Sequence, residues 1–401
     1  MNLAAKLDRL RDKPGQAAGS PLADRLARSR GVGKQKVSRR ASAALLGRAL
    51  SANRQVGDLL IREREYRLTP GGAGVPDLVQ LPEVCELAAP DWVYIDTETT
   101  GLSGGVGNLA FMVGVARYLG SHRLLVRQYV LGSFDAELGM LHDLVDWIGR
   151  DAVLVSFNGK CFDLPLLDAR CRLRRVGQGL AGLGHLDLMY PLRRAFRRRW
   201  PDCRLQTAER RLLGLQRQGD LPGALAPAAW RQWLRNGDVA PLSAVLQHNY
   251  QDVVSLALLQ RQLVAEYRAP QHVAADHTAI GRAWWAVGQA DRARQIWEDA
   301  GARLDADGQL ELAALYRRRG DWSRAESLWL ALHAGGNVQA AAELSKYYEH
   351  RRRDYGRAID FARHCERPER EARLYRLRGK LSAGPQLPLW TPPEPFSRGT
   401  R

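Results

Sequence analysis

Residues 92 to 102 read WVYIDTETTGL, and this stretch limits the chain more than any other. The run Trp92-Val93-Tyr94-Ile95 is aromatic and β-branched, which predicts a short buried strand. Side chains two apart on a strand leave the sheet on the same face. Asp96 and Glu98 are therefore expected side by side at the strand end. Two carboxylates held that close repel unless protons or a metal neutralise them. Hard oxygen ligands of this kind suit Mg²⁺ or Mn²⁺ better than zinc. Gly101, then Ser103-Gly104-Gly105 and Gly107, leave the next connection open to close approach by a substrate backbone. An acid pair at a strand end is common by chance, so its meaning depends on partners elsewhere.

Two further segments supply them. In VLVSFNGKCFDLPLL, residues 153 to 167, an apolar strand runs through a turn at Asn158-Gly159 into a helix that begins near Asp163. Asp163, followed by Leu164 and Pro165, also has the makings of a helix cap, and both readings fit. In HNYQDVVSLALLQRQL, residues 248 to 263, His248 and Asp252 stand one helical turn apart. Val253, Leu256, Leu259 and Leu263 form the apolar side of that helix.

DTETTGL, NGKCFD and HNYQD, in this order, resemble motifs I, II and III of the DEDD exonucleases of the RNase H-like superfamily, the DnaQ-like 3′→5′ proofreading group. The Nx₃FD form of the second motif resembles the exonuclease domain of family B DNA polymerases. HLDLMYPLRR, CRLQTAERRLLGL, the DLPG turn at 220 to 223 and HNYQDVVSL resemble the YprB-like family, which joins such a domain to tetratricopeptide-type helices. The resemblance implies that Asp96, Glu98, Asp163 and Asp252 hold two divalent cations, Mg²⁺ or Mn²⁺, about 3.5–4 Å apart. It implies that His248 orients or deprotonates the attacking water. Here His248 stands four residues before Asp252, in the register of the tyrosine subclass, with Gln247 where the usual histidine subclass has its histidine. Phosphodiester hydrolysis needs charge neutralisation more than a covalent nucleophile, and none is evident. Thr97, Gly101, Leu102, Asn158 and Phe162 are the expected nucleic-acid contacts around the acids. Asp187 is expected to cap the helix after it, with metal or substrate contact as the other reading. Glu209 is expected to be a solvated or ion-paired surface acid.

The formal net charge of +17 points to a polyanionic partner. Arg193, Arg194, Arg197, Arg198 and Arg199 crowd one segment, and Arg170, Arg172, Arg174 and Arg175 another. Each cluster is either a solvated helix face or part of a groove that grips phosphates without reading sequence.

Residues 108–119 and 122–131, joined at Gly120-Ser121, are expected to form a hairpin, and residues 135–149 a helix. The expected fold is α/β, an RNase H-like domain with a mixed five-stranded sheet over residues 85–270. Residues 1–84 read as a basic, partly disordered arm with a short helix over residues 2–12 and no secretory signal. Residues 271–383 read as an all-α domain of tetratricopeptide-like repeats. GQADRARQIWEDA, GDWSRAESLWLAL and RDYGRAIDFARHC align with Ala293, Ala325 and Ala358 in register, at offsets of 32 and 33 residues. They serve either as a packing module or as a docking surface for a protein partner such as a helicase, since a nuclease of this type works on exposed single-stranded ends. Residues 384–401, with Pro385, Pro388, Pro392, Pro393 and Pro395, read as a disordered tail. No run long enough for a membrane span occurs, and Cys85, Cys161, Cys171, Cys203 and Cys365 lack zinc or disulfide spacing, which fits a reducing cytoplasm. The expected activity is metal-dependent 3′→5′ exonuclease cleavage of single-stranded DNA or RNA ends. The alternatives are a non-catalytic nucleic-acid-binding scaffold and an endonuclease of the same fold.

Overall fold

In the computed structural model, residues 39–68, 75–88, 90–101, 107–177 and 179–382 are described. The expectations for residues 1–38 and for the proline-rich tail lie outside them.

Seven strands form one mixed sheet in the order β1-β2-β5-β4-β3-β6-β7. They are β1 Arg54–Val56, β2 Leu59–Arg67, β3 Asp91–Thr99, β4 Ala110–Tyr118, β5 Arg123–Leu131, β6 Ala152–Ser156 and β7 Gly184–Asp187. The β4–β5 hairpin turns at Gly120, whose φ of 71° suits glycine. β3 lies between antiparallel β4 and parallel β6, and β7 extends the parallel side. The expected five strands are thus seven. β1 and β2 come from residues assigned above to the basic arm, and β2 pairs with β5 along its whole length, from Leu59↔Leu131 to Arg67↔Arg123. Charges in LLIREREYR dilute its apolar signal, but they are matched across the ladder, Glu63 with Arg127 and Glu65 with Arg123.

β3 divides its side chains strictly. Trp92 and Tyr94 pack into the core shared with the long helix Ala240–Arg268, while Val93 and Ile95 pack beneath Leu141, Leu167 and Trp230 on the other face. Asp96 and Glu98 continue the first series and Thr97 the second. The helices Glu137–Ile148, Asp163–Arg174 and Ala226–Asn236 cover that second face. Trp230 and Trp233 anchor the last of these by donating their indole N–H groups to the carbonyls of Leu131 (2.7 Å) and Gly132 (3.0 Å).

The long helix also leads into the C-terminal helices, and its core runs into theirs without a break through Leu259, Leu263, Tyr267 and Trp284. These helices are His277–Ala286, Ala290–Ala300, Ala306–Arg318, Trp322–Ala334, Val338–Tyr347, Tyr355–Ala362 and Glu369–Ser382. Asp276, Asp305, Asp321, Asn337 and Asp354 each cap a helix by accepting a backbone N–H from three residues on. Ala293, Ala325 and Ala358, the register positions of the sequence alignment, are fully buried. Among the described residues no helix is long and apolar enough to cross a membrane.

Candidate active site

Three elements bring acids to one cleft. β3 contributes Asp96 and Glu98, the start of the helix Asp163–Arg174 contributes Asp163, and the long helix contributes His248 and Asp252. Thr97, Thr99, Gly101, Asn108, Phe162, Leu166, Gly223 and Pro227 complete the lining. Sequence reading therefore found every acid that lines the cleft.

Three of the four acids are turned toward a protein donor. Asn249 Nδ2 donates to Asp96 Oδ2 at 2.9 Å and lies 3.3 Å from the Asp96 carbonyl. Asn249 is itself fixed by Gln128, whose Nε2 reaches Asn249 Oδ1 (2.9 Å) and the Leu246 carbonyl (2.8 Å). The Thr97 hydroxyl, on the opposite face of β3 from Asp96 and Glu98, donates to Asp163 Oδ1. Arg217 Nη2 donates to Asp252 Oδ1. His248 Nε2 lies 3.3 Å from Asp252 Oδ2, and its Nδ1 lies 2.6 Å from Asp220 Oδ1.

The electrostatics follow from burial and crowding. Burial, then the charges of Asp252, Asp163 and Glu98, hold the Asp96 carboxyl well above its ordinary range, with the Asn249 hydrogen bond opposing. Burial, then Asp252, Asp163 and Asp220, push Glu98 up to about 8. Burial raises Asp163 to about 6, against the Thr97 hydrogen bond. Burial also raises Asp252, while His248 and Arg217 pull it down. Asp96 and Glu98 thus sense the charges of Asp163 and Asp252 across the shared cleft. Among the described residues, no three carboxylate, histidine or cysteine groups stand close enough to hold a metal ion with the side chains oriented as they are. The donor chemistry fits a divalent cation all the same: four crowded, hard oxygen ligands whose charge is incompletely compensated.

Asp187 sits at the end of β7, 5% exposed. It is not the expected helix cap, since the N-cap of Met189–Phe196 is Leu188 without a side-chain bond; its carboxylate accepts from the backbone N–H groups of Met189 (3.1 Å), Asn158 (2.7 Å) and Lys160 (3.1 Å). It therefore shapes the loop that delivers Asp163. In that loop Asn158 adopts a φ of 66°.

The expected nucleic-acid contacts separate. Thr97, Gly101 and Phe162 line the cleft, and Phe162 is 50% exposed. Leu102 lies outside the described residues. Asn158, Arg193, Arg194 and Arg197 are not part of the cleft lining. Arg194 is engaged internally, by Glu83 at 2.6 Å and the Tyr267 hydroxyl at 3.2 Å. Arg170 and Arg174 pair with buried Glu137, and Arg172 with Asp168.

Thr99 and Asn108 in the cleft lining, and four polar residues behind it, were not assigned from sequence. Asn249 stands inside HNYQD and Asp220 inside the DLPG turn, so both carried a motif signal; Gln128 and Arg217 carried none. Glu209, expected at the surface, is buried at 2% exposure on a π-helical turn, Glu209–Leu213, and pairs with Arg217. The helix leading into it, Leu205–Ala208, is too short to show an amphipathic period from sequence.

The chain matches the RNase H superfamily over residues 93–264. It is 31% identical over 280 residues to the uncharacterized protein YprB of Bacillus subtilis (strain 168), covering 67% of each chain. A solved structure of the family B DNA polymerase from the hyperthermophilic archaeon Pyrobaculum calidifontis aligns with 57% of this chain and 29% of that one. Its identity is 15% and its TM-score 0.36.

Proposed function

The chain belongs to the same family as YprB and carries an RNase H-like domain, and we propose that this domain is a metal-dependent 3′→5′ exonuclease of the DEDD type. Its proposed substrate is single-stranded DNA, with RNA as the other candidate. The observation that carries this reading is the meeting of Asp96, Glu98, Asp163 and Asp252 in one cleft, with His248 beside them.

The four acids would hold two divalent cations, Mg²⁺ or Mn²⁺, which when bound supply a water of lowered pKa and neutralise charge at the phosphate. The protein's own groups do the rest. Asp220 fixes His248 through Nδ1, so that Nε2 is the atom turned toward Asp252 and placed to take a proton from an attacking water. The half-exposed Phe162 ring offers a face on which a terminal base can stack. Gly223 carries no side chain into the cleft, and a Cβ there would already stand 3.7 Å from His248 Nε2. The C-terminal helices are proposed to be tetratricopeptide-like repeats that dock a protein partner.

Digestion of 3′-labelled and 5′-labelled single-stranded DNA and RNA with Mg²⁺, Mn²⁺ or EDTA tests this. Mononucleotide release from the 3′ end is expected. Asp96→Asn should slow it by about a thousandfold or more, the equivalent of ~4 kcal/mol of charge stabilisation. The absence of metal-dependent cleavage of any substrate would favour a second reading, a non-catalytic nucleic-acid-binding scaffold. That reading draws on Arg217, which already neutralises Asp252 without a metal.

A further inference from the structure

Arg217 belongs to none of the three motifs, yet it links more of the site's polar groups than any motif residue does. Its side chain is 9% exposed. Nε and Nη2 grip the two oxygens of Glu209, at 2.7 and 2.5 Å, in the bidentate geometry that suits a guanidinium. Nη2 also reaches Asp252 Oδ1. Nη1 lies 3.1 Å from Asp220 Oδ2 and 3.2 Å from His248 Nδ1.

Each Asp252 oxygen thereby has one partner, Oδ1 with Arg217 and Oδ2 with His248 Nε2 at 3.3 Å. A divalent ion on Asp252 would compete with the guanidinium for Oδ1 and be repelled by its positive charge. We propose that Arg217 is an internal counter-cation, holding Asp252 in the metal-free protein and releasing it when a divalent ion binds. This rests on the metal-dependent reading above.

The surroundings suit such a release. Glu209 is 2% exposed and remains a partner for the guanidinium after Asp252 lets go. A second cavity, lined by Gln206, Glu209, Arg210, Gln216, Arg217 and Asp220, lies beside the site and gives the guanidinium somewhere to go. The segment carrying Arg217 lies between Gly214 and Gly219, at φ values of 66° and 65°. Both take a left-handed backbone region that glycine enters without steric cost.

Mn²⁺ titration of the full-length protein by calorimetry tests the proposal, together with melting curves with and without Mn²⁺. Wild type is compared with Arg217→Gln, Arg217→Lys and Asp96→Asn. Removing the competitor should tighten Mn²⁺ binding on the order of tenfold in Arg217→Gln, a typical size for coupled binding. The metal-free melting temperature of that variant should fall, because buried acids lose their partner, and the deficit should shrink in saturating Mn²⁺. Arg217→Lys keeps the charge but loses the bidentate fork that grips Glu209, so it should bind with intermediate affinity. It also serves should the glutamine variant not fold. Unchanged or weaker Mn²⁺ affinity in the variants, beside intact Asp96-dependent binding in wild type, overturns the counter-cation and leaves the nuclease reading standing. No Asp96-dependent binding in wild type or either arginine variant removes both.

Discussion

Asn249 and Asp96 are 153 positions apart in sequence, and a 2.9 Å hydrogen bond between them joins the long helix to the central strand. This contact registers the third motif against the first. It sits directly above Gly114 of β4, where an added Cβ would come within 2.3 Å of Asn249 Oδ1 and 2.8 Å of Val253 Cγ2. The helix can approach this closely because that position carries no side chain.

Asn249→Ala removes the donor to Asp96 and leaves Gln128 without its side-chain partner. A loss of roughly 1–3 kcal/mol is expected, the cost of buried polar groups left unpaired. Urea unfolding of the metal-free protein measures it; a loss below about 0.5 kcal/mol would show that water replaces the amide at no cost.

Gly114→Ala should be at least as harmful for a different reason. The methyl has to displace Asn249 or lift the helix, and overpacking of this kind costs about 1–3 kcal/mol. The variant should also lose Mn²⁺ affinity, since Asp252 rides on the same helix. Wild-type stability in this variant would mean that the helix shifts freely over the sheet.

Glu98 supplies a pH signature. Its folded value of about 8 lies above its ordinary 4.5, with burial the main cause. A carboxyl raised in this way favours the folded state fully below about 4.5, and that contribution is lost as pH rises toward about 8. Metal-free wild type should therefore lose stability across that window more steeply than Glu98→Gln, which cannot ionise. At the upper end the variant should be more stable by more than about 1 kcal/mol. Parallel curves of melting temperature against pH would contradict this, and saturating Mn²⁺ should flatten the wild-type curve.

Asp187→Ala tests the second motif's loop. The backbone N–H groups of Asn158 and Lys160 lose their acceptor, so Asp163 is delivered less accurately. With the fold retained by circular dichroism, kcat should fall on the order of tenfold to a hundredfold, as misplacement alone can do. Unaltered turnover would limit Asp187 to the start of its helix.

Much of this was legible in the chain itself. WVYIDTET announces its strand because alternation and β-branching are local properties. The same period put Asp96 and Glu98 on one face and Thr97 on the other, where it meets Asp163. The hairpin at Gly120 and the helices around Ala293, Ala325 and Ala358 were readable for the same reason. β2 was not, because Arg62, Glu63, Arg64 and Glu65 mask its period, and only pairing with β5 shows that their charges are matched.

Sequence alone determined the central strand, the hairpin and the long helix and which acids they carry, because these depend on neighbours within a turn or two of chain. Tertiary structure decided how those acids are held. Arg217 meets Asp252 across 35 positions, and Asp96 is fixed by a helix that follows the rest of the domain. Such pairings depend on how a helix seats on a sheet, and that is set by packing contacts like Gly114 against Asn249, which leave no periodic trace in the sequence.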